Sequence, residues 1–116
     1  MTKRGYFIIT VNQTMKIVNL VIAGAFNPQQ TEDFIHDYHN KISNIDVESF
    51  NLRVDFTELD AITEDALPKL ERSFKLYKES GFKKIVFVIK KSPIIKMRLN
   101  TVAKNAGLFN SEVEEV

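Results

Sequence analysis

Residues 85–93 read IVFVIKKSP, and this stretch decides the fold class. Its apolar part, residues 85–89, shows no polar alternation, which is typical of a strand buried on both faces of a parallel sheet. Ser92 followed by Pro93 marks a helix start, because serine caps a helix and proline suits its first position. A buried strand that leads directly into a helix predicts an α/β protein.

Working outward, similar signals predict the other elements. Asn27, Pro28 and Gln30 form a capping signal for a helix that continues to about Ile42. A helix after the third strand begins near Asp65, has Pro68 in its first turn and ends at Ser80-Gly81. The remaining strands are predicted at residues 6–11 and 15–23, as an opening hairpin, and at residues 50–56, where apolar and polar residues alternate.

The predicted order is ββαβαβα, a small mixed four-stranded sheet with three helices. We expect a single domain over residues 1–108. Residues 109–116 (FNSEVEEV) are acidic, and we expect them to be a frayed tail.

Composition excludes several function classes. The 116 residues suit one domain, and 16 basic against 15 acidic residues give a net charge of +1. The chain has no cysteine, which rules out disulfides, thiol nucleophiles and cysteine-ligated metals. No apolar run is long enough to span a membrane, and the N-terminus lacks the cleavage site of a signal peptide, so we expect a cytoplasmic protein.

Two groups of residues have the chemistry of metal ligands. His36 and His39 lie three apart on the first helix, near Asp33 and Asp37, but they face away from its apolar stripe, and a solvated helix face is the favoured interpretation. Five carboxylates between Asp55 and Asp65 follow the third strand, where a Mg²⁺ site or a phospho-acceptor aspartate is an alternative. Acids before a helix also complement its dipole, and we favour that role.

Catalysis and nucleic-acid binding both lack support. Gly24 is the only glycine between Tyr6 and Ser80, so neither a P-loop nor a GxGxxG loop can form there. No serine stands in the sequence context of a nucleophile elbow. Residues 81–108 hold seven basic residues and no acid, but no aromatic platform for bases interleaves with them. We therefore expect no enzymatic activity, no cofactor and no strong nucleic-acid binding.

Residues 15–108 resemble a STAS domain, the family of the anti-sigma-factor antagonists. The resemblance lies in a strand, glycine, loop and helix (IAGAFNPQQTEDF, 22–34), a strand entering a helix (VDFTELDAITEDALPKL, 54–70), and the later segments ESGFKKIVFVI (79–89) and VAKNAGL (102–108). The family's Asp-Ser-Ser-Gly motif corresponds here to Thr63, Glu64, Asp65 and Ala66. The sequence departs from the motif there, since Asp65 stands where partner kinases phosphorylate a serine.

The resemblance implies a regulatory module that binds a protein, such as an anti-sigma-factor-like kinase or another regulatory protein, through residues 63–66. Asp65 would then carry a fixed, phosphate-like charge and is not itself a phospho-acceptor; the favoured alternative is that Asp65 only caps the second helix. Thr57 and Thr63 are the remaining candidate acceptors, although we expect Thr57 to turn toward the end of the sheet and Thr63 to cap the preceding turn. Ile94 and Met97, which fall outside the apolar stripe of the last helix, extend the predicted contact surface. The alternatives are a nucleotide- or lipid-binding STAS-like domain and a Mg²⁺-dependent enzyme that uses the acidic cluster.

Overall fold

The structure, a computed structural model, describes residues 5–24, 27–59, 62 and 64–116. Across these ranges the helices are α1 (Pro28–Ile42), α2 (Leu67–Ser80) and α3 (Pro93–Asn105). The strands are β1 (Tyr6–Asn12), β2 (Ile17–Ala23), β3 (Asn51–Asp55), β4 (Lys84–Ile89) and β5 (Ser111–Glu115).

The five strands form one mixed sheet in the order β1-β2-β3-β4-β5. β1 is antiparallel to β2, and every later neighbour pair is parallel. Each helix connects two adjacent parallel strands, and right-handed crossovers in one direction place all three helices on the same side of the sheet. We call this side the helix face and the other side the open face.

Burial follows this one-sided arrangement. Along the central strands, alternate side chains such as Leu20, Leu52 and Phe87 are fully buried on the helix face. They join one core cluster with Tyr38 of α1, Phe74 and Tyr77 of α2 and Leu99 of α3. On the open face, Ile8 of the outer strand is 51% exposed. Most of the core therefore lies between the sheet and its helices, while Val88, on the open face near the end of β4, is also buried.

The predicted α/β class, the mixed sheet and the three helices are confirmed, but the number of strands and the element order are wrong. The observed order is ββαβαβαβ, because residues 111–115 are strand β5 and pair with β4 from Ile85↔Ser111 to Ile89↔Glu115. The expected frayed tail at residues 109–116 is thus largely an edge strand. Val113 packs against the core, and the Asn110 side chain donates to the Phe82 carbonyl oxygen at 2.9 Å.

The helix-start signals are confirmed at α1 and α3. The Asn27 side chain accepts from the Gln30 amide at 2.8 Å, and the Gln30 side chain accepts from the Asn27 amide at 3.0 Å, which completes a capping box. Ser92 Oγ accepts from the Ile95 amide at 3.2 Å. α2 ends, as predicted, at Gly81, whose φ of 85° is the left-handed conformation that glycine adopts without strain.

The opening hairpin is also present, with its turn built without glycine. Lys16 takes the left-handed conformation, with φ of 57°, and its carbonyl oxygen accepts from the Asn51 amide at 2.9 Å. Its ammonium lies 5.2 Å from the centre of the Phe50 ring. These contacts tie the turn to the start of β3 and offset part of the backbone cost.

Among the described residues, no helix combines the length and apolar character needed to cross a membrane.

Candidate protein-interaction surface

The carboxyl ends of β2, β3 and β4 lie at one edge of the sheet, because these strands are parallel. At this carboxyl edge β2, β3 and β4 end at Ala23, Asp55 and Ile89, and the three connections that follow them lead to α1, α2 and α3. Open α/β sheets commonly place binding sites at this edge. The predicted contact residues fall on the second connection and at the start of α3, so the topology brings both groups to the same end of the molecule.

Asp55 organises the turn that follows β3. Its Oδ1 accepts from the Thr57 amide at 2.8 Å and from the Thr57 hydroxyl at 2.6 Å. The Phe56 amide donates to the Val88 carbonyl oxygen at 2.7 Å, which holds the turn against β4. Asp55, the first carboxylate of the acidic cluster, therefore has a structural role, and the Thr57 hydroxyl is hydrogen-bonded to it.

The next predicted residues form a short 3₁₀ turn, Glu64–Ala66, directly before α2. Glu64 and Asp65 are exposed, whereas Ala66 is half-buried against the core. Thr63 lies outside the described residues. Glu64 and Asp65 thus present two carboxylates to solvent at the carboxyl edge.

The prediction that Asp65 caps the second helix is wrong. The 3₁₀ turn moves the N-cap to Ala66, which has no side-chain hydrogen bond to the helix. Pro68, in the first turn of α2 as predicted, has no N–H to offer a capping side chain. The Asp65 side chain is therefore exposed and is not the cap of α2.

The start of α3 presents an apolar pair. Ile94 is 66% exposed and Met97 is 62% exposed, while Ile95 and Leu99 of the same helix are buried. Met97 lines a shallow open groove, together with Lys91, Pro93, Lys96, Asn100, Thr101, Lys104 and Glu115. The prediction that Ile94 and Met97 lie off the buried stripe is confirmed, and three lysines line the same groove as Met97.

β5 partly neutralises the basic region of residues 81–108. Lys84 Nζ lies 2.9 Å from Glu112 Oε1, and Lys96 Nζ lies 3.4 Å from Glu115 Oε1. Such exposed pairs add little stability. However, they reduce the positive potential that the sequence of this region suggests when it is considered alone.

The histidine pair remains on a solvated helix face. His36 and His39 are both exposed, and they lie with Glu32 and Arg72 along an open groove between α1 and α2. Asp37 pairs with Lys41 at 2.8 Å, and Asp33 accepts from Gln29 at 2.9 Å. Across the described ranges, no three His, Asp or Glu side chains are arranged to hold a metal ion.

Two buried tyrosines, Tyr38 and Tyr77, have hydroxyl groups in environments that the sequence analysis did not predict. The Tyr38 hydroxyl lies 2.7 Å from Ser80 Oγ, which itself donates to the Leu76 carbonyl oxygen at 2.8 Å, so Tyr38 is the donor of this pair. The Tyr77 hydroxyl is buried and has no hydrogen-bond partner in the described structure. Burial raises the pKa of both phenols far above 10.0, and the charge of ionised Tyr38 would raise the Tyr77 pKa further. Helical spacing predicts that these rings are buried, but it does not predict the partners of their hydroxyls.

Comparison with known protein families finds no match to this sequence, and comparison with curated proteins also finds none.

Proposed function

We propose that this protein is a non-enzymatic regulatory module that binds another protein at the carboxyl edge of its sheet. The observation that carries the proposal is the exposed apolar pair Ile94 and Met97 at the same edge as the exposed carboxylates Glu64 and Asp65. An apolar centre with a charged rim is typical of protein-binding surfaces.

Charge on this surface favours a protein partner over a nucleic acid. The 3₁₀ turn before α2 contributes the carboxylates of Glu64 and Asp65, whereas the connection to α3 contributes the exposed ammonium groups of Lys90 and Lys91. A phosphate backbone would be attracted to the lysines and repelled by the carboxylates. A protein surface can match both signs, which also fixes orientation.

The STAS resemblance supports the same kind of partner. In such a module the partner is an anti-sigma-factor-like kinase or another cytoplasmic regulatory protein, and contact is made around residues 63–66. Asp65 then supplies a permanent charge where the family uses a phosphorylatable serine. A carboxylate carries one negative charge, whereas a phosphoserine carries about −1.5 to −2, so binding is constitutive and not switched at this residue.

Asp65 provides the sharpest test, because the residue can be changed without disturbing a helix cap. Asp65→Asn removes the charge, and Asp65→Ser restores a hydroxyl. Both variants should keep the wild-type melting temperature and lose binding to the protein captured from native lysate. The double variant Ile94→Ser/Met97→Ser should weaken the same interaction by about tenfold or more, since buried anchors dominate interface energetics.

Phe109→Ser is the matched control, because Phe109 is 86% exposed but precedes β5 at the opposite edge of the sheet. It should capture the partner as the wild type does. The proposal fails if the Asp65 and α3 variants capture the same proteins as the wild type. Thermal stabilisation of the wild type by nucleotides or lipids alone would favour a ligand-binding domain, and stabilisation by Mg²⁺ would favour the acidic-cluster enzyme.

A further inference from the structure

The two outer edges of the sheet differ sharply in how they are protected. In the described structure β1 pairs only with β2, and β5 pairs only with β4. β5 carries Glu112, Glu114 and Glu115, which repel a second acidic strand. β1 reads YFIITVN, with neither a charged residue nor a proline along its seven residues. Proteins usually block exposed edges with charge, proline or distortion, and β1 has none of these sequence features.

The side chains of β1 are divided between the two faces of the sheet. Ile9 is 4% exposed and belongs to the core on the helix face, where Phe7 and Val11 pack beside it. Tyr6 and Ile8 point to the open face and are 43% and 51% exposed. Phe7, Ile9 and Val11 thus form the last apolar row on the helix face of the sheet. A further strand beside β1 could extend this apolar row.

Two copies of β1 are compatible in an antiparallel pair. A twofold axis perpendicular to the sheet keeps the helices of both copies on the same side, so each side chain meets one from the same face. A pair centred on Ile9, the midpoint of β1, places Ile9 opposite Ile9 of the second copy and Phe7 opposite Val11. On the open face the same register places Ile8 opposite Thr10 and Tyr6 opposite Asn12.

We propose that β1 is a self-association edge, through which two copies of this chain form a dimer with one continuous sheet. The occupant is a second copy, because antiparallel β1 strands match apolar with apolar residues on the helix face and bring no charges together. Pairing β1 with the β5 of another molecule would instead place three glutamates against an uncharged strand. The dimer leaves Ile94 and Met97 free and does not depend on the proposed function.

Sedimentation equilibrium on the whole chain tests the dimer, and Ile8→Lys is the diagnostic variant. The wild type should be a concentration-dependent dimer. Ile8→Lys adds an ammonium group from each copy beside the twofold axis and should raise the dimer dissociation constant by about tenfold or more. Ile94→Lys, at a comparably exposed apolar position on α3, should leave the constant unchanged. A thermal melt verifies that each variant is folded.

The absence of cysteine in the chain allows a direct test of the register. Opposite residues of an antiparallel pair have Cα atoms about 4.5–5.5 Å apart, within disulfide range. A mixture of Ile8→Cys and Thr10→Cys proteins should therefore form a mixed disulfide dimer on mild oxidation, faster than either variant alone.

Three results would overturn the proposal. One is a wild type that remains monomeric up to about 1 mM, since that concentration would exclude any but the weakest association. Another is a dimer that survives Ile8→Lys but dissociates in Ile94→Lys. The third is mixed cross-linking no faster than that of an Ile94→Cys control.

Discussion

At the scale of single residues, we expect removal of the two buried tyrosine hydroxyls to change the free energy of unfolding in opposite directions. Tyr77→Phe removes a buried hydroxyl that has no hydrogen-bond partner among the described residues, so the free energy of unfolding should stay constant or rise by about 1 kcal/mol. Tyr38→Phe removes the donor to Ser80 Oγ and should lower it by about 1 kcal/mol. Urea denaturation of both variants measures the difference. If Tyr77→Phe were the more destabilising change, the hydrogen-bond assignment would be wrong.

The same phenols predict a loss of stability at alkaline pH. Burial raises both pKa values above the ordinary 10.0, so the folded protein keeps these protons while the unfolded chain releases them. Below pH 10 the two tyrosines therefore do not make the free energy of unfolding depend on pH. Above pH 10 the free energy of unfolding falls by up to about 1.4 kcal/mol per pH unit for each tyrosine. Urea denaturation from pH 9 to 11 should show a shallower decline in the Tyr38→Phe/Tyr77→Phe double variant, and equal declines would contradict this account.

At the scale of secondary-structure elements, the helix caps predict local stability. Asn27→Ala and Ser92→Ala each remove the side-chain acceptor of a backbone amide at a helix start, and each should cost about 1 kcal/mol. Asp65→Ala at the uncapped start of α2 should cost much less, because Asp65 is not a cap. Thermal melts of the three variants would show this ranking, and unchanged melting temperatures in the first two would refute it.

β5 separates two interpretations of residues 109–116. A frayed tail could be removed without effect, whereas an edge strand whose Val113 packs against the core stabilises the whole sheet. Ending the chain at Leu108 should therefore lower the free energy of unfolding by more than the 1 kcal/mol or so of a typical single substitution. Glu112→Gln and Glu115→Gln, which break only exposed ion pairs, should change it by less than about 1 kcal/mol.

The same strand shows why sequence reasoning succeeds for most elements and fails here. β4 and the caps of α1 and α3 are predictable because burial and capping impose specific residue types on short segments. β5 is exposed along most of its length, so its composition reflects solvent and neighbouring lysines more than pairing with β4. Its only apolar signal inside the strand is Val113. The start of α2 lies near Asp65, as predicted, but its cap is not predictable from the sequence, since a 3₁₀ turn and a proline replace the usual capping side chain.

At the scale of the whole molecule, the sheet has one covered face and one open face, and its candidate binding features lie at different places. The carboxyl edge gathers Asp65, Ile94 and Met97, whereas the uncharged strand β1 lies at a lateral edge. The carboxyl-edge residues lie together because β2, β3 and β4 are parallel, so that the connections after them start at one edge. β1 lies at a lateral edge because the opening hairpin adds it antiparallel to β2. A dimer through β1 would thus present two copies of the carboxyl-edge surface, which increases apparent affinity for a partner with two binding sites.

Charge distribution over the whole molecule predicts weak binding to nucleic acids. The seven basic residues of the segment 81–108 are partly offset by β5, whose glutamates pair with two of them, Lys84 and Lys96. The two aromatic residues of that segment, Phe82 and Phe87, are buried in the core and cannot stack on bases. At about 150 mM salt, dissociation constants for RNA and single-stranded DNA should be no tighter than tens of micromolar. Nanomolar binding that weakens steeply with salt would contradict this prediction and would favour a nucleic acid as the partner of the basic surface.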